Sequence, residues 1–107
     1  MRAITKRSEL IAGIKNGERL FIVEGKSLLL QCTLASKFNN ITNVSKATVT
    51  KSVPAAAAQC AITESTLITL AAIAVVGAVA IIAILKKRNL TIEVEDSNGN
   101  KGRVIVS

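Results

Sequence analysis

Residues Leu67 to Leu85 read LITLAAIAVVGAVAIIAIL, nineteen residues without a charge, and Lys86, Lys87 and Arg88 follow at once. At about 1.5 Å per residue such a helix reaches roughly 28 Å, close to the hydrocarbon thickness of a bilayer. A helix that is apolar on every face is hard to bury in a chain of 107 residues, because a small globule offers cover for only one stripe. The run therefore predicts a single-pass transmembrane α-helix over 67–85.

The rest of the chain reads as small α+β segments on either side. Ser8 can cap a short helix over 8–16 and Gly17 can end it, with Leu10, Ile11 and Ile14 on one face,. Arg19 to Glu24 is an apolar run between Gly17 and Gly25 and predicts a strand,. Ser27 can cap a second helix to about Phe38, so residues 1–38 form a helix–strand–helix mini-domain. Residues 39–66 are rich in Asn, Ser, Thr and Ala, hold the lone proline, Pro54, and read as a linker. The linker is expected to be partly extended before Pro54, with a helix open to it through the run Ala55 to Ala58,. Residues 86–107 hold the basic cluster and a β-hairpin: Leu90, Ile92 and Val94 alternate with polar residues, Asn98-Gly99 suits the turn, and Arg103 to Val106 returns,. A two-stranded hairpin is marginal alone, and Arg19 to Glu24 can supply a third strand if it lies on the same side.

Chemistry is sparse. Histidine is absent and the two cysteines, Cys32 and Cys60, are far apart, which argues against a metal site,. They read as reduced thiols packed as small apolar groups. No nucleophile–base pairing is visible, so no catalytic residue, cofactor or enzyme is expected. Gly25-Lys26-Ser27 lacks the earlier glycine of a phosphate loop, since position 20 is Leu20,. Glu93, Glu95 and Asp96 read as solvated surface. Asn40-Ile41-Thr42, Asn43-Val44-Ser45 and Asn89-Leu90-Thr91 fit the N-glycosylation pattern, which recurs by chance in such sequence,. The net charge of +7 invites an anionic partner,. With two aromatics and singly scattered Lys and Arg, nucleic acid is not expected, and anionic lipid is.

Two features of the span carry the functional expectation. Ala71, Ala74, Gly77 and Ala78 make a stripe of small residues, which lets helices approach closely in lipid and predicts a helix–helix interface and a homo-oligomer,. Lys86, Lys87 and Arg88 read as a lipid and topology anchor at the cytoplasmic leaflet. Orientation is contested. The flanking charges, one basic residue before the span and five after it within about twenty residues, place the C-terminus in the cytoplasm,. That topology exports residues 1–51, which carry +6, and no signal peptide is visible to do so,. One escape is a chain that is first peripheral and inserts only on assembly.

A helix ending Lys15 to Glu18, a strand Phe21 to Gly25 ending VEG, and the segment Leu67 to Arg88 resemble small bacterial single-span membrane proteins of unknown function. The resemblance implies a bacterial inner membrane and no activity. The expected role is a non-enzymatic integral membrane protein that self-associates through its span as a subunit of a membrane assembly, either a pore or a membrane-perturbing effector. The alternative is a membrane-anchored adaptor that binds a protein partner through the N-terminal mini-domain or by strand addition to the hairpin.

Overall fold

The computed structural model describes residues 3–39 and 44–107, apart from the side chains of Ser97 and Asn98. The triplets beginning at Asn40 and Asn43 fall wholly or partly outside the described residues. Along the chain run β1 (Ala3–Ile4), α1 (Arg7–Lys15), β2 (Leu20–Glu24), α2 (Lys26–Lys37), α3 (Lys46–Gln59), α4 (Glu64–Lys87), β3 (Ile92–Asn98) and β4 (Lys101–Val106).

The helix ends explain these boundaries. Glu9, not Ser8, serves the start of α1: its Oε1 accepts from the backbone amides of Thr5 and Lys6, both at 3.3 Å, which places a carboxylate at the positive end of the helix dipole. At α2 the flanking residue is Gly25, with φ at +98°, and the expected cap Ser27 sits inside the first turn. Three helices end in the same paired reversal, a left-handed residue whose neighbours bond back to the last turn. Gly17 closes α1, with Glu18 N donating to Gly13 O at 2.9 Å; Ala61 closes α3, with Ile62 N to Ala57 O at 3.0 Å; Asn89 closes α4, with Leu90 N to Leu85 O at 2.8 Å. The apolar run thus stops where the chain must turn into β3, and Asn89 has a structural reason to be asparagine.

The strands form one sheet in the order β1-β2-β4-β3, with β1 parallel to β2 and the other pairs antiparallel. β2 pairs with β4 from Leu20 opposite Ile105 to Glu24 opposite Lys101, so the third strand proposed for the hairpin is in place. Alternation sorts the two faces. Phe21, Val23, Ile92, Val104 and Val106 are buried on one. The other is solvated: Glu93, Glu95 and Arg103 are exposed, and Lys101 pairs with Glu24 at 3.6 Å. Gly102 lets α2 approach the sheet, since a Cβ there would lie 2.5 Å from Leu29 Cδ1. Asn39 borders the free edge of β3, its Oδ1 accepting from Ile92 N at 3.1 Å while its Nδ2 donates to Ile92 O.

α2 is the centre of the molecule. It packs on the sheet, on α3 and most extensively on α4, and all eight residues from Leu28 to Ala35 are buried. Polar groups in that run need internal partners; Thr33 Oγ1 donates to Leu29 O at 2.9 Å. Cys32 and Cys60 are buried as thiols, and burial, reinforced by the neighbouring Cys60, pushes Cys32 up to about 12.

Two findings depart from the sequence expectation. Residues 46–59, read as linker, form α3, with Ser45 Oγ accepting from Thr48 N at 3.2 Å as its cap. Val49, Val53, Ala56 and Ala57 are its buried face; that helical spacing overrides the β-branched residues and Pro54. Pro54 is tolerated because it is exposed, leaving the Thr50 carbonyl to water. The second departure concerns residues 1–38 and 86–107, expected on opposite sides of a span. They meet in one sheet, and α4 lies along the same body.

Candidate functional site

α4 has 24 residues, about 36 Å of helix, and the longest dimension of the molecule is also 36 Å. It is long and apolar enough to cross a bilayer, by a test that the core helix of a soluble protein also passes, and a third of its most apolar window is buried inside the molecule. Its two long faces do different things.

The inner face carries the small residues. Ala74, Gly77 and Ala78 are buried together with Val75, Ile81, Ile82 and Leu85, while Ala71 is half-buried. Gly77 marks the closest approach to α2. The position its Cβ would occupy is already filled by Oε1, Cδ and Cγ of Gln31. Gln31 is only 4% exposed; its Nε2 donates to Ser27 Oγ at 3.2 Å, and its Oε1 has no conventional donor among the described residues. Lying where a Gly77 side chain would project, that oxygen faces a Cα–H, a weak donor common where helices touch. The stripe expected to bind a second copy therefore holds α2 of the same chain in this conformation.

The outer face is bare. Ile68 is 82% exposed, Ile73 53% and Val76 51%. Along one row at four-residue steps stand Ile68, Ala72, Val76, Ala80 and Ile84, the first three exposed and the last two half-buried. The exposed part of that row forms one wall of an open groove of about 530 Å³ between α3 and α4, with Val53 and Pro54 on the α3 side and Leu67, Ile68, Ala71, Ala72, Val75 and Val76 on the α4 side. The four-residue link from Cys60 to Thr63 makes these helices antiparallel neighbours,. Lys46 and Glu64 border the groove. The sequence signal for the outer row was available in its spacing, but in a run apolar on every face no one row stands out.

Charge is polarised along α4. Glu64 lies in its first turn and Lys86 and Lys87 in its last, and all three are exposed, as is the C-cap Arg88. Acid at the start and base at the end both complement the helix dipole, so the cluster has a role in the helix itself besides any lipid contact. Among the described residues no group of three or more His, Cys, Asp and Glu side chains comes together. No family model, curated protein or solved structure matches the chain.

Proposed function

We propose that the chain is a small non-enzymatic membrane protein that works through the outer face of α4, as a subunit of an assembly at the bilayer. The observation that carries this is the exposed apolar strip of Ile68, Ala72, Ile73 and Val76 on a helix whose last turn exposes Lys86 and Lys87, with Arg88 after it. Monomeric soluble proteins rarely leave so long an apolar strip bare. A strip on a helix with a cationic end suits an anionic membrane surface.

The sheet bears on how α4 meets lipid. A single-pass crossing with residues 1–66 on one side and 86–107 on the other separates β2 from β4 and dismantles the sheet between them. A globule lying on the membrane, with α4 in the interfacial plane and the charged sheet face turned to water, keeps every strand pair. This arrangement also removes the conflict over orientation, because neither +6 before α4 nor +2 after it has to be exported. The cationic end of α4 suits the anionic cytoplasmic leaflet, and the resemblance to small bacterial membrane proteins makes that the inner membrane of a bacterium. Flotation with anionic liposomes is the test: the wild type should float, and Ile68→Ser/Val76→Ser should stay at the bottom with unchanged thermal stability. A wild type that stays with the soluble fraction at low salt sinks the proposal.

A further inference from the structure

The groove between α3 and α4 is a straight apolar trough with opposite charges at its ends. Its α4 wall repeats at the helical period, from Glu64 through Ile68 and Ala71 to Val75, so one line along the helix stays in the trough for about 16 Å. Val53 and Val75, each 4% exposed, lie at its floor. The hydroxyl of Thr50, in the α3 wall, already donates to the Lys46 carbonyl at 2.8 Å. Lys46 opens α3 and Glu64 opens α4; in an antiparallel pair these charges stand at opposite ends. We infer that the trough holds one unbranched hydrocarbon chain with an anionic head, a long-chain carboxylate, its head at Lys46 and its tail running toward Glu64. The inference rests on the reading that the apolar face exposed by α4 is its working surface, and adds a ligand for that face.

Space and charge select this occupant and its direction. About 530 Å³ falls within the range of about 300–1,000 Å³ for small-molecule sites. A partner helix of the same length, about 10 Å across, fills on the order of 1200 Å³, more than twice that space. Pro54, Ala71 and Ala72 are short side chains, which leaves the middle of the trough open to a chain. Lys46 is exposed and makes no ion pair among the described residues. It also sits at the positive end of the α3 dipole,. An anionic head is attracted there and repelled by Glu64 at the other end. The tail then covers Ile68, which is 82% exposed without it.

Calorimetric titration of the full chain in membrane-free buffer tests this. The probes are saturated carboxylates of increasing length, each below its micelle concentration. Affinity should rise about fourfold per added methylene and level off once the chain outgrows the trough. Ala71→Phe should fill the trough and weaken the longest carboxylate about tenfold or more. Lys46→Glu should weaken every carboxylate about tenfold and leave an uncharged alcohol of the same length unchanged. A glutamate in the first turn of α3 suits the helix dipole, so this variant keeps the fold. Absence of binding at any length overturns the inference, as does affinity that climbs without levelling, or binding that neither variant changes. Liposome flotation of the same samples separates the two readings. A wild type that floats yet binds no carboxylate overturns the ligand alone. One that binds as expected and fails to float upholds the ligand and removes the membrane reading.

Discussion

α2 and α4 pack on one another, and they are buried in the reverse order of their hydropathy. α2 carries Gln31 and Thr33 in its middle and is buried on every side; α4 has no polar residue between Leu70 and Leu85 and leaves a whole face bare. Burial follows position in the layers. α2 lies between the sheet and the α3–α4 pair, whereas α4 packs on α2, on α3 and at fewer points on α1, and leaves Ile68, Ala72, Ile73 and Val76 exposed. Apolar residues on the inner face of α4 are thus accounted for by folding, and those on its outer face are not. The outer face is where association has to be sought.

That contrast can be broken by mutation. The largest effect is expected in α2: Leu30→Ala, at a fully buried site, should cost about 3–5 kcal/mol in denaturant unfolding. On the inner face of α4, Gly77→Ala meets Gln31 and should cost about 1–3 kcal/mol through overpacking. If the small residues instead serve a second copy, Gly77→Ala should reduce oligomer without touching monomer stability. Cys32 sharpens the same comparison chemically. Folded, it holds its proton up to about 12, against 9.0 for the unperturbed thiol. Its contribution to stability is therefore complete below pH 9 and is lost as pH rises toward 12, and the unfolding midpoint of the wild type should fall more steeply over that range than that of Cys32→Ala. At pH 8 an Ile73→Cys thiol on the outer face should react with maleimide on the order of a thousandfold faster than Cys32. Smallest in size, Ala61→Gly should stabilise the α3–α4 turn by about 1 kcal/mol, since Ala61 holds φ at +54°,.

Much of the fold was legible where local rules and tertiary packing agree. Gly17, the alternation from Leu90 to Glu95 and the Asn98-Gly99 turn announced α1 and the hairpin, and the marginal stability of two strands alone pointed to β2 as the third. The cap residues were misplaced by one or two positions, because Ser8 and Ser27 compete with Glu9 and Gly25 for the same duty. Of α3 only the part after Pro54 was open to a helix in the sequence, because Thr48, Val49, Thr50 and Pro54 speak against one locally, while the burial of Val49, Val53, Ala56 and Ala57 that decides it comes from α4 and α2. For the candidate site, length and hydropathy singled out α4 as the one long apolar helix among the described residues. The face was harder: Ala71, Ala74, Gly77 and Ala78 signal close approach of a helix, but a sequence does not say whether that helix belongs to another copy or, as here, lies forty residues earlier in the same chain.

The central claim is that α4 meets the membrane with its outer face while the sheet stays closed. Locking β2 to β4 tests it most directly. The flanking bonds Gly25 N to Asn100 O and Val106 N to Arg19 O make Ile22 and Arg103 a non-hydrogen-bonded pair, with Cα atoms about 4.5 Å apart, within reach of a disulfide. Oxidised Ile22→Cys/Arg103→Cys should float with anionic liposomes as well as its reduced form does. Flotation that is lost on oxidation and regained on reduction would show that α4 must leave this fold to enter the bilayer, and would contradict the claim.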